Sequence, residues 1–174
     1  MSRKTFYLVL LLLLPMMGSA QRDTLVKNAV YIEALGIGGL GSINYEHFVF
    51  EKNRFIIGVR LGLSTYRITD FRNKFNPDVI IPISVNFLYG TKHKLEIGLG
   101  NTYTNTVHAG LDLSPERETA IHGNAYIGYR LQFLTKKPIL KNINGFVIRI
   151  GYSPLFEYFR SVRHWGGLSF GITF

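Results

Sequence analysis

Six charged residues stand singly among stretches of β-forming apolar residues, and they are three acids and three bases: Glu33, Glu46, Glu96, Arg60, Arg130 and Arg149. Each falls on the alternate positions opposite the large apolar side chains of its own segment. An unpaired charge in the interior of a narrow β-structure is very costly, whereas a paired and hydrogen-bonded charge is tolerated. The equal numbers predict a network of ion pairs that plugs such an interior, with a gated path for ions as the alternative.

The five histidines offer no catalytic arrangement. His122 shares one face of its segment with Asn124, but activation of a hydroxyl needs a serine, a histidine and an acid in defined roles, and no serine stands two residues after His122. The other four lie in or near connections without the spacing of metal ligands: His47, His93, His108 and His164. We therefore expect that the protein is not an enzyme and that it has neither a cofactor nor a metal site.

Two further motifs concern phosphate binding. The run GIGGLG (36–41) lacks the G-x-G-x-x-G spacing and is not followed by a helix pattern, so it is expected to form a turn between strands. Basic residues cluster instead in two polar connections, where their side chains could bind lipid phosphates: Arg67, Arg72, Lys74, Arg160 and Arg163. Simple solubility of the connections is the alternative explanation.

Eight segments rich in Val, Ile, Phe, Tyr and Thr must position these residues: 29–38, 42–50, 54–66, 79–90, 93–104, 119–134, 143–153 and 165–174. Most are close to the 9–11 residues that a tilted membrane-crossing strand requires, so the pattern favours an all-β barrel. Tight turns at 51–53 and 90–92 alternate with long polar connections at 67–78, 105–118 and 154–164. This alternation is typical of barrels with short turns at one end and long loops at the other.

The polar faces of the segments carry mostly Gly, Ser, Thr and Asn, which suit a filled interior better than a solvated surface. Aromatic residues recur near segment ends, where membrane interfaces place them: Phe50, Tyr66, Tyr89, Tyr103, Phe133, Tyr152 and Trp165. These features favour an apolar wall that faces lipid over a soluble barrel with an apolar core. The same phase places Asn101 on the apolar face and Leu35, Ile37 and Phe48 inside.

The first twenty residues predict export. Arg3 and Lys4 precede an apolar run over 6–14, and small residues end the segment at Ala20, as in a cleaved secretory signal peptide. Removal of 1–20 leaves 21–174 as one domain and lowers the net charge from +9 to +7, because 18 bases then face 11 acids. The chain has no cysteine, so no disulfide can stabilise the exported protein. Because the chain is basic but has no basic helical motif, we expect contact with anionic lipid and not with nucleic acid.

The last strand ends on alternating apolar residues: Leu168, Phe170, Ile172 and Phe174. With the eight segments, this ending resembles the small eight-stranded outer-membrane β-barrel proteins of OmpA-like or OmpX-like architecture. The resemblance implies a closed antiparallel eight-stranded transmembrane β-barrel in the bacterial outer membrane. It also implies that the outer-membrane barrel assembly machinery recognises the aromatic C-terminal strand as its signal.

The expected role is therefore that of a non-enzymatic structural or surface-interaction protein. Its partners would be outer-membrane lipid, lipopolysaccharide and an extracellular protein reached through the loops. Three alternatives stay open at this stage: a narrow passive pore, a lipid A-modifying membrane enzyme, and a soluble lipocalin-like periplasmic binder.

Overall fold

A computed structural model describes residues 26–110, 114–135, 143–157 and 161–174, so the predicted signal peptide (1–20) lies outside the described residues. Ten β-strands form in these ranges: β1 (Asn28–Leu35), β2 (Gly41–Lys52), β3 (Phe55–Ser64), β4 (Val79–Gly90), β5 (His93–Ala109), β6 (Pro115–Leu134), β7 (Gly145–Tyr152), β8 (Leu155–Glu157), β9 (Ser161–Arg163) and β10 (Gly166–Thr173). The same ranges contain no helix that could cross a membrane.

Eight of the strands close into a barrel. Their order around the sheet is β5-β4-β3-β2-β1-β10-β7-β6, and β5 pairs with β6 to complete the circle. Each of these pairs is antiparallel. The predicted closed antiparallel eight-stranded fold is therefore confirmed, while β8 and β9 form a short extra hairpin on the side of β6.

The two ends of the barrel differ. At one end, called the terminal end, the first and last strands meet: the Asn28 amide donates to the Phe174 carbonyl at 2.9 Å and the Phe174 amide donates back at 3.0 Å. The tight turns after β2 and β4 lie at this end. The opposite end, called the loop end, holds the connections 36–40, 65–78, 110–114 and 153–165. Residues 111–113 and 158–160 of these connections lie outside the described residues.

Period-two alternation explains how each strand builds the wall. In β3, Ile56, Gly58, Arg60, Gly62 and Ser64 face the interior and alternate with exposed or half-exposed apolar residues. Successive side chains of a strand point to opposite faces, so one strand supplies both surfaces of the barrel. A β-bulge between Phe48 and Phe50 shifts the register of β2 against β3, and Phe48 stays buried in the interior.

Two expectations from the sequence are wrong. Residues 105–109 and 115–118, expected within a loop, extend β5 and β6 as a hairpin paired from Asn105↔Thr119 to Ala109↔Pro115. The sequence did not predict these strand segments because their side chains are mostly polar. A hairpin outside the barrel wall needs backbone pairing but no apolar face. Leu35, expected inside, is 43% exposed, since its φ of 60° ends the alternation of β1.

The β4–β5 turn depends on Gly90, whose φ of +138° is unfavourable for other residues. A Cβ there would lie 2.0 Å from the His93 carbonyl oxygen. We expect Gly90→Ala to lower the free energy of unfolding by about 1–3 kcal/mol. Urea unfolding of detergent-folded protein measures this, with Thr91→Ala in the same turn as the control. Equal midpoints for both variants would show that the turn tolerates a side chain at position 90.

Candidate functional site

The structure brings the six charged residues together inside the barrel, and their side chains have no solvent exposure. They form one continuous chain of ion pairs in the order Glu46, Arg130, Glu96, Arg149, Glu33, Arg60. The nitrogen–oxygen distances along that order are 2.5, 2.8, 2.5, 3.5 and 2.5 Å. Acids and bases alternate, so each of these six charges has at least one opposite neighbour.

Glu96 holds the centre of this chain. Arg130 and Arg149 are direct register partners on β6 and β7, which places two like charges side by side. The Glu96 Oε2 atom accepts from Nε of Arg130 at 2.8 Å and from Nε of Arg149 at 3.0 Å, and its Oε1 accepts from Nη2 of Arg149 at 2.5 Å. One carboxylate therefore compensates two guanidinium groups, in the short charge-assisted geometry that makes such bonds strong.

Amides and hydroxyls complete the ends of the ion-pair chain. Asn86 Nδ2 donates to Glu46 Oε1 at 2.7 Å. At the other end, Nε and Nη2 of Arg60 donate to Asn44 Oδ1 at 3.0 and 2.7 Å. Buried charges need such additional hydrogen bonds because pairing alone does not replace their hydration.

Aromatic rings cover the guanidinium groups. The Cζ atom of Arg149 lies 4.6 Å from the ring centres of both Tyr31 and Tyr126, and Arg60 lies 5.4 Å from Tyr31. Arg130 lies 5.6 Å from the ring of Phe48. These cation–π contacts add stabilisation where water is excluded. Sequence reasoning assigned no role to the two tyrosines, although their positions in the alternation mark them as inward.

Glycines make room for these large side chains. A Cβ at Gly128 would lie 2.5 Å from the hydroxyl of Tyr126, and one at Gly151 would lie 2.6 Å from its ring. A Cβ at Gly58 would lie 2.9 Å from Glu46 Oε1. The interior of an eight-stranded barrel is only wide enough for side chains to fill it. Glu46 and Tyr126 therefore fit because the neighbouring glycine positions carry no side chain.

Other groups occupy the interior on both sides of the charges. Toward the terminal end lies a buried apolar cluster of Val26, Ala29, Tyr31, Phe48, Ile56, Leu88 and Val147. Toward the loop end, the connection 36–39 is buried, and the Ile37 carbonyl accepts from Thr102 Oγ1 at 3.0 Å. The GIGGLG run thus forms a strand-to-strand turn that folds inward.

Four of the five basic residues predicted to bind phosphate are described, and they lie at the loop end. Arg67, Arg72 and Lys74 belong to the connection between β3 and β4, whereas Arg160 lies outside the described residues. Arg163 is already paired, with its Nε 2.6 Å from Glu157 Oε1. The structure therefore groups three of the five bases on one connection.

The acids of that connection are turned toward backbone amides. Asp70 Oδ1 accepts from the amides of Lys74 at 3.0 Å and Arg72 at 2.8 Å, and the Lys74 amide is the main cause that holds the pKa of Asp70 below its usual range. Asp78 Oδ1 accepts from the Val107 amide at 2.8 Å. Both carboxylates are nearly buried, so the charge that this connection displays is mainly positive.

The last strand carries its apolar residues outward. Leu168 and Phe170 are exposed, Ile172 and Phe174 are half-buried, and Ser169 and Thr173 between them are buried. His122 Nε2 lies 3.1 Å from Thr104 Oγ1 in the loop-end part of the interior. Among the described ranges, no group of three His, Cys, Asp or Glu side chains could hold a metal ion.

Comparison with solved structures places this architecture among small outer-membrane barrels. The N-terminal β-barrel domain of Pseudomonas aeruginosa OprF shares 15% identity over 86% of this chain and 100% of that domain, with a TM-score of 0.54. The attachment invasion locus protein Ail of Yersinia pestis, in complex with the heparin analogue sucrose octasulfate, shares 11% identity over 85% of this chain and 95% of Ail, with a TM-score of 0.55. These values show a common fold.

A second crystal structure of Ail has a TM-score of 0.50 at 10% identity, covering 86% of this chain and 98% of Ail. No protein-family model matches the sequence, and no curated protein matches it. The chain is therefore assigned to an architecture, the closed eight-stranded barrel of small outer-membrane proteins.

Removal of the Glu96 charge should damage this barrel most. Glu96→Gln leaves Arg130 and Arg149 adjacent, and breaking a buried pair in this way typically costs about 3–5 kcal/mol. We expect a lower urea midpoint for unfolding of the detergent-folded protein. Glu118→Gln is the control, because Glu118 lies 3.7 Å from His108 with 73% of its side chain exposed, where a charge pair adds little. Similar midpoints for both variants would contradict the central role of Glu96.

Proposed function

We propose that this protein is an integral protein of the bacterial outer membrane with a structural or surface-interaction role and no enzymatic activity. The observation that carries the proposal is the contrast between the two faces of the wall. Large apolar side chains are exposed around the outside, whereas the fully buried side chains include three arginines and three glutamates. Only a surrounding of lipid makes this arrangement favourable, because a protein in water gains stability by burying apolar groups and exposing charged ones.

The height of the apolar wall supports a membrane setting. On β3 the outward positions from Phe55 to Leu63 are all apolar. Their eight residue steps extend about 26 Å along the strand, or about 20 Å along the axis of a barrel tilted by about 40°, close to the apolar band of about 25 Å in such proteins. Between the two rims, the described outward positions of the eight barrel strands carry no Asp, Glu, Lys or Arg.

The proposed topology follows from outer-membrane barrels in general. The terminal end, with its tight turns, faces the periplasm, and the loop end faces outward. The proposal includes cleavage of the signal peptide after Ala20 and a mature domain of 21–174. It also includes recognition of the last strand, with Leu168, Phe170, Ile172 and Phe174, by the barrel assembly machinery.

The interior is proposed to be closed to ions. The ion-pair chain crosses the middle of the barrel, the apolar cluster lies toward the periplasmic side, and the inward turn 36–39 lies toward the outside. An ion would have to separate paired guanidinium and carboxylate groups in a medium of low dielectric constant, which is strongly unfavourable. A passive pore is therefore the less favoured function for this protein.

The loop end is proposed to bind lipopolysaccharide phosphates. Arg67, Arg72 and Lys74 surround a tight turn whose own carboxylate, on Asp70, is committed to backbone amides. Their basic side chains would donate charge-assisted hydrogen bonds to the oxygen atoms of lipid phosphates at the outer leaflet. The same connections, 65–78 and 153–165 with the β5–β6 hairpin, would present the surface for an extracellular protein partner.

A charge on the middle of the wall tests the membrane setting. Leu99 is 58% exposed on β5, so arginine there would cost little in a soluble barrel but about 2–4 kcal/mol at the centre of a bilayer. We expect Leu99→Arg to reduce the fraction of protein that fractionates with the outer membrane and shifts on unboiled gels. Phe75→Arg, at a position 80% exposed in a loop, is the control. Soluble, unshifted wild-type protein would support the lipocalin-like alternative.

Conductance tests the closed interior. Wild-type protein inserted into a planar bilayer should give no stepwise current over a range of voltages, because paired charges occupy the middle of the barrel. A general porin inserted under the same conditions verifies the bilayer. Reproducible steps that disappear when the protein is denatured would show that the chain is a narrow pore.

A further inference from the structure

A cleft of about 350 Å³ opens at the terminal end, lined by Lys52, Asn53, Arg54, Phe55 and Tyr89. Its size falls within the range of roughly 300–1,000 Å³ that is typical of small-molecule sites. The β2–β3 turn forms its rim, and Asn53 has a φ of 57°, the left-handed conformation that asparagine adopts readily. Nothing in the ion-pair chain or the loop end uses this cleft.

Three of the lining residues form one row across the neighbouring strands β2, β3 and β4. Lys52 is the register partner of Phe55, and Phe55 is the register partner of Tyr89. Register partners lie about 4.5–5.5 Å apart on the same face of the sheet. Phe55 is 37% and Tyr89 is 55% exposed on the outside of the wall. The cleft therefore opens toward the surroundings of the barrel, where the apolar band ends.

The charge of the cleft is positive. Lys52 and Arg54 both line it. The acid of the same turn, Glu51, is in register with Ile56, which is buried in the interior, so Glu51 belongs to the opposite face of the sheet. An anionic group in the cleft would meet two bases and no carboxylate among its lining residues.

The wall beside the cleft is aromatic. The ring of Phe55 packs against Phe50 at 6.4 Å, edge to face, and against Phe87 at 6.3 Å, stacked. These rings continue from the cleft toward the middle of the wall and offer apolar contact to a chain that leaves the cleft in that direction. Aromatic residues flanked by basic residues are typical of the part of a protein that lies at a membrane–water interface.

We infer that this cleft binds the headgroup of an anionic phospholipid from the periplasmic leaflet. Lys52 and Arg54 would donate charge-assisted hydrogen bonds to the phosphate oxygens, while Tyr89 and Phe55 contact the glycerol and the first acyl carbons. Two basic side chains and an apolar wall together favour an amphiphile over a free phosphate. The inference rests on the proposed membrane setting, and it concerns the end of the barrel opposite the lipopolysaccharide-binding loops.

Native mass spectrometry of the detergent-folded full chain tests the site with two lipids of equal acyl chains, phosphatidylglycerol and phosphatidylcholine. The double variant Lys52→Gln, Arg54→Gln should retain at least fivefold less phosphatidylglycerol than wild type. The matched control is Lys27→Gln, Lys92→Gln, which removes two charges at the same end but outside the cleft lining, and it should retain the lipid. Phosphatidylcholine retention should be low and equal in all three proteins.

Each outcome has a distinct meaning. Equal retention in wild type and the cleft variant, or equal loss in the cleft variant and the control, would overturn the site. Displacement of phosphatidylglycerol by glycerol 3-phosphate would overturn the lipid as the ligand, because a free phosphate would then suffice. A wild-type protein that is soluble without detergent and does not shift on unboiled gels would contradict the proposed function itself.

Discussion

The interior of a barrel with eight strands is too narrow to hold solvated charges, and the rest of this structure depends on that constraint. Three arginines and three glutamates lie there without solvent exposure. Such charges persist only when each has an opposite partner and further hydrogen bonds. The alternating order of the ion-pair chain supplies the opposite partners, and Glu96 serves two arginines at once.

The same constraint decides the residue types around the chain. Large inward side chains fit only where neighbouring positions are empty: Gly58 leaves space for Glu46, and Gly128 and Gly151 leave space for Tyr126. Tyr31 and Tyr126 then pack against Arg149, each with its ring centre 4.6 Å from the Arg149 Cζ atom. The large apolar residues that alternate with this interior are exposed on the outside of the wall, a surface suited to contact with lipid.

The proposed recognition sites therefore lie at the two ends. The terminal end combines tight turns, basic side chains and aromatic rings, as in the cleft lined by Lys52, Arg54 and Tyr89. The loop end extends beyond the wall through the β5–β6 hairpin and the small β8–β9 hairpin beside it. Its β3–β4 connection is held by Asp70 in a defined turn, so its bases are displayed by an ordered backbone.

The sequence by itself determined the class of fold, because period-two alternation assigns each residue of a strand to one of two faces. It also predicted that six single charges face the interior, since each stands opposite the apolar face of its own segment. The pairing between them was decided by the tertiary structure: strand register places Arg130 beside Arg149 with Glu96 on the adjacent strand, and closure of the barrel brings Glu46 of β2 to Arg130 and Glu33 of β1 to Arg149. The outward turn at Leu35 and the extension of β5 and β6 over 105–109 and 115–118 were likewise decided by backbone conformation and pairing, for which polar sequences carry no periodic signal.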